Sequence, residues 1–600
     1  MTSTAIVSRR HDKLRAKMVS HENSAALDSG TGYEERIWTP QRTAVLFAAL
    51  LVLVICWQVD GVRLRTIFQP TTLAALWNFL RGLFPPDLSP DFLRIVFRAI
   101  ASTLATAFAG TILSVLFAIP LGALATPILW QRGILSAADN RRVSVKLRSW
   151  GSRVVFAFLG FLRAVPDLVW GLLFVTAVGL GPLAGALALT VAYVGVLGRV
   201  YAYAFADVDS RPLEALQATG ATRAQIFLWG IWPQALPNVL AYTLYSFECC
   251  VRAASVLGFV GAGGIGYEIS LSMRLFEYRQ VMTLILAFIL LLAATDLVSR
   301  RLRARLQPNA ESIRRHQRSN GAQDVQNRRF LWRKLGYAVL LVVVGASFYL
   351  AGFSPEHLSE ANIMRNMLRF SRGMLPPDFA KEFVLSLGPL LMQTLAISVL
   401  GTLVGVVIGG ILAIPSTSTL VLVRRDSPGA QSQTERGVRW SVFWAARLLL
   451  NLLRSIPDLV WVLICIVVVG IGPFAGTLAI GIHTGGVLGK LYAETLEEVP
   501  QQPVEALRAL GAGPIQLLVW ALWPQAKRML AGYTVLRWET NLRISAILGL
   551  VGGGGLGQAI YNNVQLGFYS RLATLLIVIY ILVIASDWIG DSVSRRTVRV

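Results

Sequence analysis

The strongest constraint on this 600-residue chain is that most of it is written twice. "FLRGLFPPD" ends at Asp87 and "FSRGMLPPD" at Asp378, while "LRAVPDLVW" ends at Trp170 and "LRSIPDLVW" at Trp461, so 378 − 87 = 461 − 170 = 291. The same offset joins Glu214 to Glu505, Gly220 to Gly511, Pro233 to Pro524, Glu248 to Glu539, Arg252 to Arg543, Gly266 to Gly557 and Asp296 to Asp587. No gap is needed from Gly61/Gly352 to Asp296/Asp587. Composition alone cannot hold a register over that distance, so two homologous halves are fused head to tail.

What each half folds into follows from its solvent. A mean hydropathy of +0.58, with 54% hydrophobic and 15% charged residues, describes a polytopic membrane protein. At about 20 apolar residues per helical crossing, spans are expected near 43–59, 100–127, 154–180, 182–202, 233–258 and 279–298. The second half gives 335–352, 387–415, 448–472, 474–492, 525–549 and 572–590, about twelve in all, with the proline-bearing third span of each half open to bending. Cys56, Cys249, Cys250 and Cys465 lie in apolar runs without a CxxC spacing, which suits packing rather than disulfides or zinc.

The formal charge of +23 could suit nucleic acid, but the arginines sit beside the apolar spans, as in cytosolic loops. Arg132, Arg141, Arg142, Lys146, Arg148 and Arg153 face one acid, Asp139, in segment 128–153. Segment 299–334 carries eleven Lys or Arg against Glu311 and Asp324. Both are therefore placed inside, together with 203–232. An even number of spans per half makes the repeats parallel. The expected organisation is a cytosolic tail (1–42), a first repeat (43–298), a basic cytosolic linker (299–334), a second repeat (335–590) and a cytosolic C-terminal tail (591–600). Arg9, Arg10, Lys13, Arg15 and Lys17 stand in the first segment without the apolar core of a secretory signal.

Two stretches break the apolar pattern: "PLEALQATGATRAQIFLWGIWPQ" from Pro212 and "PVEALRALGAGPIQLLVWALWPQ" from Pro503. Ser210 can cap a helix with Pro212 in its first turn, Gly220 suits a left-handed stop, and Thr222 with Gln225 forms a capping box for a second helix. Gly513-Pro514 with Gln516 reaches the same start by another route. A DNA-reading helix pair is excluded because the second helix, "AQIFLWGIWPQ", lacks a basic polar face. A purely structural cap on the bundle is the plainer alternative.

Glu214-Ala215, Gly220 and Pro233, with Glu505-Ala506, Gly511 and Pro524 at the same spacings, resemble the EAA loop of type I ABC-importer permeases. Leu216 and Leu507 replace the third alanine, and Gly230-Ile231-Trp232 and Ala521-Leu522-Trp523 depart from the family's I-x-L. "FE…VR", "VGAGGIG", "LRAVPD" and "LRSIPD" narrow the resemblance to the phosphonate-type subunit, over both halves but not the N-terminal tail or linker. The resemblance implies an all-α permease of the bacterial inner membrane for phosphonate, phosphite or phosphate, in which each EAA helix sits in a groove of a separate ATP-hydrolysing subunit. Glu214, Ala215, Gly220, Glu505, Ala506 and Gly511 would be the couplers. The implied partners are two ATP-binding subunits and an extracellular or periplasmic substrate-binding protein, within membrane lipid and without nucleic acid. One fused chain would replace a permease dimer. ATP and Mg²⁺ are expected on the partner subunits, and no cofactor or metal on this chain.

Its own motifs agree with a chain that catalyses nothing. "GGVLGKL" lacks the P-loop spacing and places Leu491 where a magnesium-binding hydroxyl is required. "GAGGIG" (261–266) and "GGGGLG" (552–557) satisfy G-x-G-x-x-G but follow membrane spans rather than strands, so tight turns or close packing are expected. No Ser–His–Asp set, metal cluster or paired carboxylates appear, and His483 is alone in its span.

Ionisable residues inside spans are costly and face partners or water. Glu248 with Arg252, and Glu539 with Arg543, are four apart and share a helix face. Arg163 and Arg454 could join them as a ring that attracts an anion along a translocation path. Helix-locking ion pairs would use the same residues. Asp167, Asp458, Asp296 and Asp587 carry less information, each near a bend or a span end. An ion-gradient-driven transporter of two six-helix halves is the competing function class.

Overall fold

The computed structural model describes residues 40–61, 64–126, 142–306, 341–353, 361–421 and 433–598. The chain divides into a short unit, Met1–Ile55, and a large one, Cys56–Val600. The short unit is described only from Pro40, where it is helical. In the large unit the described residues are helical with short connections and no strand.

The repeat seen in the sequence is reproduced element by element. In the first half, α1 (Pro90–Ala125), α2 (Arg142–Ala164), α3 (Asp167–Val178), α4 (Pro182–Ala206), α5 (Ser210–Ala218), α6 (Trp232–Leu257), α7 (Gly264–Arg274) and α8 (Tyr278–Leu306) follow one another. The second half has α9 (Lys381–Ser416), α10 (Gln433–Ser455), α11 (Asp458–Val469), α12 (Pro473–Glu498), α13 (Gln501–Ala509), α14 (Trp523–Leu548), α15 (Gly555–Gln565) and α16 (Tyr569–Val598). Their starts again differ by 291, as in 381 − 90 and 523 − 232. Helices α8 and α16 run on past 298 and 590, so part of what reads as linker and C-terminal tail continues the last span of each half. Residues 307–340 lie outside the described part.

Among the described residues, six helices are long and apolar enough to cross a membrane, and nine if each bent pair is one span, against the expected twelve or so. The first expected span of each half enters that count only through its described part, Leu50–Asp60 and Leu341–Leu350. Helix α12 has 26 residues but carries His483, Lys490, Glu494, Glu497 and Glu498, and its inner face is covered by protein rather than lipid.

The third span of each half is broken, with α2 and α3 meeting at 85° and α10 and α11 at 95°. Pro166 and Pro457 stand immediately before the second helix of each pair. A proline there cannot donate to the ladder of the preceding helix and pushes its neighbour out of helical geometry. Packing then holds the bend. A side chain at Gly195 or Gly486 would put Cβ 2.5 Å from the backbone nitrogen of Arg163 or 2.7 Å from that of Arg454. Small residues allow α4 and α12 to press against the bends, as helices do in lipid, where close van der Waals packing replaces hydrophobic drive.

The glycine runs form turns. A 3-10 turn at Gly258–Val260 leads to Gly261 (φ 101°), and the equivalent turn at Gly549–Val551 leads to Gly552 (φ 102°). Thr103 Oγ1 accepts the Ile265 N–H at 2.9 Å, and Thr394 Oγ1 the Leu556 N–H at 2.9 Å. These side chains satisfy the first orphan donors of α7 and α15.

Candidate coupling helices and inter-repeat pathway

The two EAA stretches fold into matching short helices, α5 and α13, each followed by a left-handed glycine, Gly220 (φ 81°) and Gly511 (φ 84°). One detail of the sequence reading is corrected. Ser210 is the first residue of α5, and Asp209 is the cap, its carboxylate accepting the Arg211 N–H at 3.1 Å. A carboxylate cap three residues before Pro212 outcompetes a hydroxyl, because it also faces the positive helix end. Thr222 and Gln225 make the expected capping box, with Thr222 N–H donating to Gln225 Oε1 at 2.8 Å. In the second copy Gly513 N–H donates to Gln516 Oε1 at 2.8 Å.

Each helix has one buried anchor, Leu213 or Val504. Glu214, Ala215 and Gly220 are exposed, as are Glu505, Ala506 and Gly511. Within each helix only the anchor is fully buried.

Behind each coupling helix the backbone widens into a π segment, Ile226–Ile231 and Leu518–Leu522, before entering α6 or α14. Pro233 and Pro524 follow immediately and supply no N–H to the ladder. The next residue adds a side-chain bond across the same turn. Gln234 Nε2 donates to the Gly230 carbonyl at 2.8 Å and Gln525 Nε2 to the Ala521 carbonyl at 2.7 Å. The repeated Trp-Pro-Gln is thus a rigid joint between coupler and span, a role for glutamine that sequence reasoning missed although the triplet occurs twice. Gln234→Leu is expected to remove this bond and to cost about 0.5–1.5 kcal/mol, measurable as a lower unfolding temperature of the detergent-solubilised protein.

The second coupler has an extra brace. Arg508 Nη2 donates to the Thr419 carbonyl at 2.6 Å. Nearby, Arg447 binds Glu497 through Nη2 at 2.7 and 2.9 Å.

The intramembrane charges are arranged less symmetrically than their spacing suggests. Arg543 Nη2 donates to Glu539 at 2.5 Å and to Asp587 at 2.6 Å, and Arg163 of the first repeat reaches Asp587 at 3.4 Å. Asp587 therefore ties the two repeats together, although its place near a span end conceals this in the sequence. In the first repeat the expected Glu248–Arg252 pair is not made. Glu248 binds Arg303 at 2.8 Å, and Asp296 pairs with Arg300. Arg454 donates through Nε to Asn451 at 3.2 Å. Arg163, Glu539 and Arg543 converge on Asp587, while Glu248 takes Arg303 and Arg454 takes Asn451 as partner.

His483 is not alone. Its Nδ1 lies 3.0 Å from the Ile456 carbonyl and 3.7 Å from Asp458. Asn541 bridges Thr402 (2.8 Å) and Thr484 (3.0 Å) beside it. Two cavities lie between the halves. One, of about 580 Å³, has Tyr267, Ser270 and Arg274 on one wall and Gln558, Tyr561 and Gln565 on the other. A second, of about 230 Å³, is lined by Asp167, Tyr193, Cys249 and Arg252 from the first repeat and Asp458, Ile544 and Leu548 from the second. No cluster of metal-ligating side chains occurs among the described residues.

The family model described as the inner membrane component of binding-protein-dependent transport systems matches twice, at residues 132–312 and 429–599. The chain belongs to this family. It is a permease, a transport component rather than an enzyme, with both halves in one polypeptide. The phosphate-import permease protein PhnE of Mycolicibacterium smegmatis is 30% identical over 91% of this chain and 93% of its own length. The phosphite transport system permease protein PtxC of Stutzerimonas stutzeri is 35% identical over 43% of this chain and 86% of its own. The methionine import system permease protein MetP of Bacillus subtilis is 27% identical over 27% of this chain and 80% of its own. The first relative spans both repeats of the permease, whereas the other two cover less than half of it.

Proposed function

We propose that this permease carries a phosphorus oxyanion (phosphonate, phosphite or phosphate) into the cell, received from an extracytoplasmic binding protein and driven by two separate ATP-binding subunits. The observation that carries this reading is the pair of exposed EAA faces on α5 and α13, repeated in register within a chain of the importer family. Each presents a carboxylate on a short helix joined stiffly to a long span, so force applied at the helix reaches the bundle. ATP and Mg²⁺ reside on the partners. One chain supplies both sockets, so a second permease copy is unnecessary. The couplers and both termini lie on the cytosolic side, and lipid surrounds the rest.

The substrate class rests on the printed functions of the phosphate and phosphite relatives, which share more of this sequence than the methionine permease does. Uptake of ³²P-phosphate, labelled phosphite and labelled methylphosphonate by cells expressing the permease with its ATPase and binding protein tests it. Uptake of at least one anion that vanishes without the ATPase is expected. Uptake that persists without it would point to a gradient-driven transporter. Cysteines placed at Gln217 and Arg508 are expected to react with an impermeant reagent only in inside-out vesicles.

A further inference from the structure

Two arginines that the repeat makes equivalent have been given different surroundings, and the difference can be traced to two other residues. Arg543 is held by Glu539 and Asp587. For Arg252 the corresponding acids are Glu248 and Asp296, and both are taken by arginines on the last helix of the same repeat, Arg303 and Arg300. The positions that match Arg300 and Arg303 in the second repeat are Asp591 and Ser594. The second repeat therefore has no arginine at those positions to draw Glu539 and Asp587 away from Arg543.

Arg252 is left without an ion-pair partner among the described residues and is exposed in the isolated chain. It lines the cavity of about 230 Å³ whose walls come from both repeats. Asp167 and Asp458 line the same cavity, which keeps a guanidinium tolerable there between transport events, but neither is within pairing distance. Asp167 and Asp458 are the first residues of α3 and α11, and Asp458 Oδ1 is buried 3.7 Å from His483 without a hydrogen bond. A cation with its fork of donors unused, in a cavity walled by both halves, is suited to an oxyanion.

We propose that the permease has a one-sided anion subsite in which Arg252 contacts the translocating phosphorus oxyanion, while Arg543 has become a strut joining the repeats. Fusion permits this, because the two halves of a single gene can diverge. The inference rests on the transport function proposed above.

The test uses the assembled transporter and the labelled anions already named. Arg252→Gln is expected to lower uptake about tenfold, the size of one lost charge-assisted contact, chiefly through the apparent KM, with normal assembly on the ATPase subunits. Arg543→Gln is expected to reduce the amount of assembled complex instead. A variant outside the cavity gives an independent arm. Arg303→Ala frees Glu248, four residues from Arg252 on the same helix face, to capture it, so uptake should fall as in Arg252→Gln. Adding Glu248→Gln to Arg303→Ala should restore it. Wild-type uptake in Arg252→Gln overturns the assignment. If Arg252→Gln fails to assemble, unchanged uptake in Arg303→Ala overturns it equally. If the unmodified transporter takes up none of the three anions, it is the proposed substrate class that fails, and the subsite with it.

Discussion

Reversing both coupler charges, Glu214→Arg with Glu505→Arg, is expected to abolish ATP-dependent uptake and to release the ATPase subunits, while the permease itself remains folded. Both carboxylates are exposed on nine-residue helices whose anchors, Leu213 and Val504, are fully buried and untouched by the change. The substitution therefore leaves both anchors in place, and charge changes at exposed positions alter stability by only about 0.5 kcal/mol. A reversed charge against a complementary groove is different, since like-charge juxtaposition at an interface costs several kcal/mol. Two sockets engage together, so losing both removes the gain from bivalent attachment as well. Co-purification of the ATPase with tagged permease, read beside uptake, checks this. Retained assembly and uptake in the double variant would show that the helices are structural caps. The single variants should be milder. Glu505→Arg should be the more instructive, because α13 keeps its brace from Arg508 to Thr419.

The second large effect concerns folding. Gly266→Ala is expected to prevent accumulation of folded permease, because a Cβ there would lie 1.7 Å from the Ser255 carbonyl oxygen. That oxygen is backbone at the C-terminal end of α6, and α7 is pinned from the other side by Thr103. Neither can withdraw without breaking a hydrogen bond, so the cost is expected to exceed the ~1–3 kcal/mol of ordinary overpacking. Gly557→Ala meets the Ala546 carbonyl at 2.5 Å and should be less damaging. Gly220→Ala separates crowding from conformation. Its φ is 81° with nothing within 4 Å, so only the left-handed strain of about 1–2 kcal/mol remains. Fluorescence-detected size exclusion of the three variants should rank them Gly266→Ala, Gly557→Ala, Gly220→Ala from least to most folded protein.

The sequence was most readable where the physics is local. The capping box at Thr222, the left-handed glycines and the break at Val165-Pro166-Asp167 depend on neighbours in the chain, and the structure has each of them. The shift of the α5 cap from Ser210 to Asp209 shows the limit of this reading, since two adjacent residues can both serve and the backbone path chooses. Helix α12 shows a different limit. Hydropathy assumes that a span faces lipid, so a helix enclosed by protein can carry His483 and four charged residues and still be part of the bundle.

By itself the sequence determined that the chain is an all-helical membrane protein of two parallel repeats with a matching pair of short helix-turn segments, because a constant offset, apolar run lengths and capping chemistry all act over short distances. Only the tertiary structure decided which charges meet. Glu248 and Arg252 satisfy the four-residue spacing as well as Glu539 and Arg543 do, yet an i,i+4 pair contributes only about 0.2–0.5 kcal/mol. A buried carboxylate is stabilised more by whichever guanidinium the neighbouring helix delivers. For Glu248 that is Arg303 of α8 and for Asp587 it is Arg543 together with Arg163 of the opposite repeat, which leaves Arg252 with no ion pair among the described residues.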